Sequence, residues 1–455
     1  MNGIAYEEEL LARLAERGDG LFDELQAVEE DFARSGRTFR NVDYPLSPRV
    51  LIVSPELRRQ AEELGERMIA ILERVIDLYL AEEETRRFFM LDSRAEDWVG
   101  IAPGYRRRIR ISRFDTFLSP DGDGLRILEN NTDCPAGTVF TGFVMELARA
   151  TPTLARFLSA LPPLCADPIA SPDAFVGALL SAFAEFSGGE APPERICVLQ
   201  PGGRATPEVR EQLRIFAERQ LSAVVADPRK LAYRGGRLLA EDLPVDLVWN
   251  KVNTVYFEEL EPASVAGLIE ACRDRAVCHV NSFAARYVTE SKLCAAYLSE
   301  PRFRAKFSAE DQALLARAIP WTRKLEDGEV RFAGRDYDLK ELALERQHGM
   351  VLKTSYDIRG DGVTIGRSVS AAEWRERLDR CWGRPFVLQD YVAAPELQVP
   401  RRGQAEPGRK RFSLDLFLFD GRFQGFGSKM SEGEKLNLFQ GGSKLPIFSL
   451  EPAAR

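Results

Sequence analysis

Arg113-Phe114-Asp115, the turn Ser119-Pro120-Asp121-Gly122-Asp123-Gly124, and Ile127-Leu128-Glu129-Asn130-Asn131-Thr132-Asp133 form the stretch whose reading decides the fold. Two runs of large or β-branched apolar residues, Ile109 to Leu118 and Leu125 to Leu128, flank a turn of Pro, Asp and Gly, which is the sequence form of a hairpin. Side chains alternate across a strand, so Glu129 and Asn131 share a face. A register placing Asp115 opposite them gathers three hard oxygen donors. Magnesium holds substrate phosphates through one or two carboxylates in octahedral oxygen coordination, which makes Asp115, Glu129 and Asn131 candidate metal ligands. Arg113 lies two residues before Asp115 and shares its face. Taken alone, the same residues also describe an acidic hairpin rim, because Asp and Asn are turn formers.

A distant segment adds to the first reading. Val351-Leu352-Lys353 and Arg359-Gly360-Asp361-Gly362, running on to Gly366, read as a strand, a glycine-rich turn and a returning strand. Such a loop lays backbone N–H groups along a phosphate chain while Lys353 supplies a point charge. Beyond it, Pro385 to Val392 is an apolar strand ending in Gln389-Asp390-Tyr391, suited to read an adenine edge and stack its ring.

The order and wording of these pieces resemble the glutathionylspermidine synthase-like group of ATP-grasp ligases. Arg-Phe-Asp, then Asp-Gly, then Leu-Glu-x-Asn-x-Asp-x-Pro is similar to its magnesium segment. Glu290-Ser291-Lys292-Leu-Cys is similar to its Asn-Lys helix, Val351-Leu-Lys353 with Arg359-Gly-Asp-Gly362 to its second lysine and phosphate loop, and Gln389-Asp-Tyr391 to its Gln-Glu-Tyr hinge. Phe412 to Phe419 and Gly421 to Lys429 resemble its last hairpin. The magnesium segment precedes the lysine-bearing segments, which is the circularly permuted order, and the resemblance runs from about Arg106 onward. It implies an α/β (α+β) fold: a circularly permuted ATP-grasp fold with an inserted parallel-sheet pre-ATP-grasp domain.

The resemblance also implies roles. Lys292, Lys353, Gly360, Gly362, Gln389 and Tyr391 would hold ATP. Asp115, Glu129 and Asn131 would hold Mg2+, two ions in number, with Mn2+ able to substitute. Arg113, Arg359 and Lys429 would act on the transferred phosphate or the substrate carboxylate. Two departures concern the acceptor side. Lys429 keeps charge at a basic position but lacks a bidentate fork, and Asp133-Cys-Pro135-Ala-Gly137-Thr138 stands where the family has Asp-x-Pro-Thr. The chemistry carries over and the substrate does not.

A chain of 455 residues exceeds one hydrophobic core, and 45% hydrophobic content is that of a globular protein. The formal net charge of -8 argues against nucleic-acid partners. Arg106, Arg107, Arg108 and Arg110 form a local basic cluster that reads mostly as a solvated strand face. The seven cysteines are scattered without a Cys-x-x-Cys pair, which points to buried small hydrophobes of a reducing compartment. With two histidines, a histidine metal centre or a Ser-His-Asp apparatus is not expected. The acidic start lacks a signal-peptide core and no run approaches a membrane span, so a cytoplasmic enzyme without membrane association is expected.

Helix-spaced apolar residues mark Tyr6 to Phe32, Glu56 to Phe89, Thr138 to Leu158 and Phe175 to Phe186 as helices. From Arg195 the texture changes. Ile196–Leu199, Ala223–Ala226, Leu243–Trp249 and Ala276–Val280 read as buried strands alternating with helices, an α/β unit with a parallel sheet. The expected division is 1–190 for helices and the magnesium site, 191–283 for the inserted substrate domain, and 284–455 for the nucleotide-binding subdomains and lid. Asn250, Lys251, Asn253, Asn281 and Ser282 follow strand ends and are candidate substrate contacts, although helix capping or turn formation also accounts for Asn281 and Ser282. The basic run between Val399 and Arg411 reads as a surface loop.

The resulting expectation is an ATP-dependent ligase that joins a small-molecule or peptide carboxylate to an amine through an acyl phosphate, releasing ADP and phosphate. A phosphotransferase would use the same residues, as would a nucleotide-binding relative without catalysis. The identity of both substrates and the oligomeric state are not encoded in the motifs.

Overall fold

A computed structural model describes residues 3–37, 46–122, 124–358, 360–436 and 442–453. The hairpin turn closes as its composition requires: Ser119 N donates to Gly124 O (2.8 Å), Gly122 N donates to Ser119 O (3.0 Å), and both glycines have positive φ. Strands Ile111–Leu118 and Leu125–Asn131 pair antiparallel, with Arg113 opposite Asn131 and Asp115 opposite Glu129. The second strand continues through the polar Glu129–Asn131, and a bulge falls between Asp115 and Thr116.

On its other edge Ile111–Leu118 pairs antiparallel with Asp415–Phe419, which pairs in turn with Arg422–Gly427, completing a four-stranded sheet. Strands three hundred residues apart in sequence thus complete one sheet. Helix Pro55–Ala81 covers it, started by Ser54 whose hydroxyl accepts from Leu57 N (3.2 Å) with Pro55 in the first turn. Leu57, Ala61, Leu64, Met68, Leu72 and Val75 bury one stripe of this helix. At Gly65 the approach is close: a Cβ would lie 2.9 Å from Leu418 Cδ1.

A second antiparallel sheet runs Thr322–Lys324, Phe386–Asp390, Met350–Thr354, Val363–Ile365. Helix Ala371–Cys381 backs it through Trp374, whose Nε1 donates to Ala343 O (2.9 Å). The third sheet is parallel, ordered Cys278–Val280, Leu247–Asn250, Ile196–Leu199, Ala223–Ala226, with helices Pro172–Ser187, Pro207–Glu218 and Ala266–Arg273 in the same unit. Ile447–Ser449 returns to pair parallel with Leu51–Val53. The mixed fold with its inserted parallel sheet is as expected.

Several segments differ from their sequence reading. Tyr6 to Phe32 breaks at Gly18 (φ 56°) into Glu7–Arg17 and Gly20–Arg34, and Thr138 to Leu158 restarts at Pro152 as Pro152–Ala160. Leu243 to Trp249 divides into Leu243–Val245, paired with Arg237–Ala240, and Leu247–Asn250. Phe412 belongs to Gly408–Phe412 in a separate three-stranded sheet rather than to the final hairpin. The basic run is therefore partly strand, and its turn docks on an N-terminal helix: Arg402 pairs with Asp23, and Gly403 N donates to Asp19 Oδ1 (2.8 Å).

The arginine cluster needs a larger correction. The strand begins only at Ile111, and Arg110 is 2% exposed rather than solvated. Its guanidinium pairs with Glu185 (2.6 Å) and Asp420 (2.8 Å) and lies over the Tyr105 ring. All seven cysteines are free and six are buried. Among the described residues no helix is long and apolar enough to cross a membrane.

Candidate functional site

The hairpin and the second sheet face each other, and Lys292, Lys353 and Gln389 lie between them. Lys353, on the strand Met350–Thr354, reaches across to Leu128 O (3.1 Å) and is held from behind by Gln389 Oε1 (2.6 Å). Gln389 Nε2 in turn donates to Thr322 Oγ1 (3.1 Å), so Gln389 fixes the lysine with one end and the neighbouring strand with the other. Neither acceptor of Lys353 is charged. Burial pushes its pKa down to about 8 against the pull of Glu129.

Lys292 lies 3.4 Å from Glu129 Oε1. Burial works against its charge, but Glu129, Asp357 and Glu290 outweigh that and hold its pKa above the ordinary value. Its backbone N–H donates to Ser355 O (2.8 Å), tying this segment to the glycine-rich loop. In that loop Gly362 N donates to Asp357 Oδ1 (3.0 Å), and Gly360, at φ 74°, accepts from Lys435 Nζ (3.1 Å). A Cβ at Gly362 would meet Thr354 Cγ2 at 2.3 Å. Arg359 lies outside the described residues. Leu128, Glu129, Ser291, Lys292, Lys353 and Gln389 line a cavity of about 10 Å³, room for one water. Tyr391, just past the strand, is covered by the Arg367 guanidinium 3.8 Å from its ring centre, and its N–H donates to Gly349 O (2.8 Å).

A second group of charges lies on the same face of the hairpin, toward the strand Asp415–Phe419. Arg113 Nε donates to Asp115 Oδ1 (2.7 Å), Nη1 to Ala136 O (2.9 Å) and Nη2 to Asn131 Oδ1 (3.2 Å). Asn131 Nδ2 also donates to Asp115 Oδ1 (3.1 Å), while Asp115 Oδ2 pairs with Lys429. Burial raises the Asp115 pKa, but Arg113 and Lys429 outweigh it and hold the carboxyl far below the usual range. Asp415 stands beside this pair, 3.4 Å from Lys429 and 4.0 Å from Arg113. It is fully buried, and neither oxygen accepts a hydrogen bond. Lys444 is close enough for Asp415 to oppose the burial that pushes its pKa down to about 8.

The three ligand candidates fit a hard cation. Asp115 and Glu129 face each other across the ladder and Asn131 adjoins them, an all-oxygen donor set. Among the described residues no three of His, Cys, Asp and Glu gather into a metal cage of their own. As placed, Asn131 Oδ1 and both Asp115 oxygens already hold Arg113, Asn131 or Lys429, so these cations and the amide must yield to a metal.

The substrate candidates form no open cluster. Asn281 spends its amide on backbone: Oδ1 accepts from Arg110 N (2.8 Å) and Ile111 N (3.0 Å), and Nδ2 donates to Ile111 O (2.7 Å) and Thr132 O (2.9 Å). It thereby docks the parallel sheet onto the hairpin. Ser282 caps a helical turn through Ala285 N (3.1 Å), and Asn250 pairs with His279 (3.0 Å). Lys251 Nζ donates to Pro135 O (3.0 Å) and Cys134 O (3.3 Å) and pairs with buried Glu208 (3.4 Å). Asn253 Nδ2 touches Asp133 Oδ2 and Cys134 Sγ. Cys134 is buried, with its thiol pKa pushed up by that burial.

Three buried residues were given no role in the sequence reading. Glu290 accepts from Thr132 N (2.5 Å) and Asp133 N (2.9 Å), and burial with Asp133 and Glu129 nearby raises its pKa. Arg286 donates to Asn250 O (3.0 Å), Asp133 O (3.1 Å) and Val252 O. Asp415 had a visible signal, a lone carboxylate opening the apolar run Leu416–Phe419.

Residues 92–419, well over half the chain, match the family described as circularly permuted ATP-grasp type 2. A glutathione synthetase like-effector from Globodera pallida, in apoform, shares 15% identity at a TM-score of 0.55, over 94% of this chain and 96% of that one. A "Putative gamma-glutamylcysteine synthetase" from Methylobacillus flagellatus KT aligns at 13% identity and a TM-score of 0.42, over 84% of this chain and 87% of that one. At such identities the first likeness is one of fold. No curated protein matches the chain.

Proposed function

The chain belongs to the circularly permuted ATP-grasp type 2 family, and from that membership we propose that it is an ATP-dependent carboxylate–amine ligase working through an acyl phosphate. The observation that carries the reading is Asp115 paired with Glu129 across the hairpin, with Lys292 on Glu129 and Lys353 on the adjoining Leu128 carbonyl. Two carboxylates, one amide and two lysines thus converge from three segments.

Lys353 and Lys292 hold the ATP phosphates, with Gln389 keeping Lys353 extended and Tyr391 meeting the adenine. Because the cavity between the sheets is small, the Lys353 sheet must part from the hairpin to admit nucleotide and close afterwards. A substrate carboxylate oxygen attacks the γ-phosphorus, the bond to the β-phosphate oxygen breaks, and ADP leaves. Mg2+, or Mn2+ in its place, would be held by Asp115, Glu129 and Asn131, as one ion or two, and supplies neutralisation of the charge developing on the phosphates. Arg113 and Lys429 steady the acyl phosphate. The loop carrying Gly360 and Gly362, with Arg359, excludes water that would hydrolyse it. An amine nitrogen then attacks the acyl carbon, phosphate departs, and the nitrogen loses a proton, leaving an amide.

The carboxylate is a small molecule or a peptide terminus, recognised with help from the parallel-sheet unit around 191–283. The net charge of -8 favours such partners over nucleic acid. Purified protein incubated with ATP, Mg2+ and a pooled panel of amino acids, polyamines and short peptides tests the proposal by mass spectrometry. ADP, phosphate and a condensed product are expected. A phosphorylated product without condensation replaces the ligase with a phosphotransferase.

A further inference from the structure

Asp415 is a buried carboxylate whose two oxygens accept no hydrogen bond, set among three cations. A charge without hydrogen bonds is costly to bury, so a fold that keeps one needs it in another arrangement. Its nearest cation supplies that arrangement. Lys429 Nζ touches Asp115 and lies 3.4 Å from Asp415 Oδ2, so a movement of about one ångström transfers it between the carboxylates. Among the described residues no other carboxylate is within 4 Å of Lys429. Arg113 is less free, being anchored also to Ala136 O and Asn131.

We infer that Asp415 is the second seat of Lys429: the ammonium occupies Asp115 until a divalent cation takes that carboxylate, then moves onto Asp415. The inference rests on the reading of Asp115 as a cation ligand. It makes Asp415 a positioning residue that keeps Lys429 beside the reacting phosphate when the metal is bound. It also makes Lys429 a competitor that keeps the site from holding a loose cation.

Mn2+ binding to the full-length protein without nucleotide, followed by electron paramagnetic resonance, tests this through a double-mutant cycle. Lys429→Met should tighten Mn2+ binding about tenfold by removing the competitor, and Asp415→Asn should weaken it about tenfold by stranding Lys429 on Asp115. In the Lys429→Met background, Asp415→Asn should have little effect. Equal weakening in both backgrounds overturns the inference and makes Asp415 a plain contributor of charge. Absence of any Mn2+ binding by the unaltered chain, with or without ATP, overturns the metal reading itself. Should the variants not fold, a crystal structure of the unaltered chain with Mg2+ and a non-hydrolysable ATP analogue decides. Lys429 on Asp415 and clear of Asp115 is expected, and Lys429 still on Asp115 beside the metal overturns the inference.

Discussion

The two halves of the hairpin's charged face handle charge in opposite ways. Toward the second sheet, Lys353 meets only neutral oxygens and its pKa is pushed down to about 8, while Lys292 has a single carboxylate at 3.4 Å. On the other half, toward the strand Asp415–Phe419, Asp115 is saturated by Arg113, Asn131 and Lys429, and Asp415 stands in reserve. The first leaves Lys353 without a carboxylate partner, free to meet a polyphosphate. The second is balanced as it stands, so every ligand entering there must displace an existing partner.

Breaking the junction of the two halves should have the largest effect. Glu129→Ala removes the carboxylate that holds Lys292 and would hold the metal, and turnover should fall by about a thousandfold or more, with a melting temperature close to that of the unaltered chain. Normal turnover would show that the two halves do not share Glu129. Asn281→Ala attacks the frame instead. It strips four hydrogen bonds from buried backbone, and chemical denaturation should show a loss of about 3 kcal/mol or more.

The charge on Lys353 makes the nucleotide half sensitive to pH. Above about pH 8 this lysine loses its proton in the folded chain, so the Kd for ATP should rise severalfold between pH 7 and 9. Asp115, held far below the usual carboxylate range by Arg113 and Lys429, should contribute no such step. The accompanying stability change has a definite sign. A folded pKa depressed below the unfolded one means that the unfolded chain binds more protons between about 8 and 10.4, so Lys353 and Lys444 both make stability rise with pH across that window. Arg402→Ala lies outside either half, on an exposed ion pair with Asp23. It should change stability by less than about 0.5 kcal/mol and leave ATP affinity unchanged.

The unequal legibility of the two halves follows from their physics. The Asp115–Glu129 pairing was readable because a two-residue alternation and a Pro-Asp-Gly turn are local signals. Lys292, Lys353 and Gln389 were readable as motifs, though the sequence did not show that Gln389 would hold Lys353. The Asp415–Lys429–Asp115 cluster joins strands at opposite ends of the chain, and no local pattern encodes such a contact. Arg110 was misread for a related reason: its partners Glu185 and Asp420 come from remote elements, and the strand that would have exposed it starts one residue later. Lys251 and Asn281 sit at strand ends as expected, but they bind the chain's own backbone.

Calorimetry of ATP binding, with and without Mg2+, tests most directly whether the hairpin and the Lys353 sheet form one nucleotide site. The account predicts saturable binding that tightens with Mg2+ and weakens by about a hundredfold in Lys353→Met, on the scale of a lost charge-assisted contact. Absence of binding by the unaltered chain, or equal binding by the variant, would contradict it.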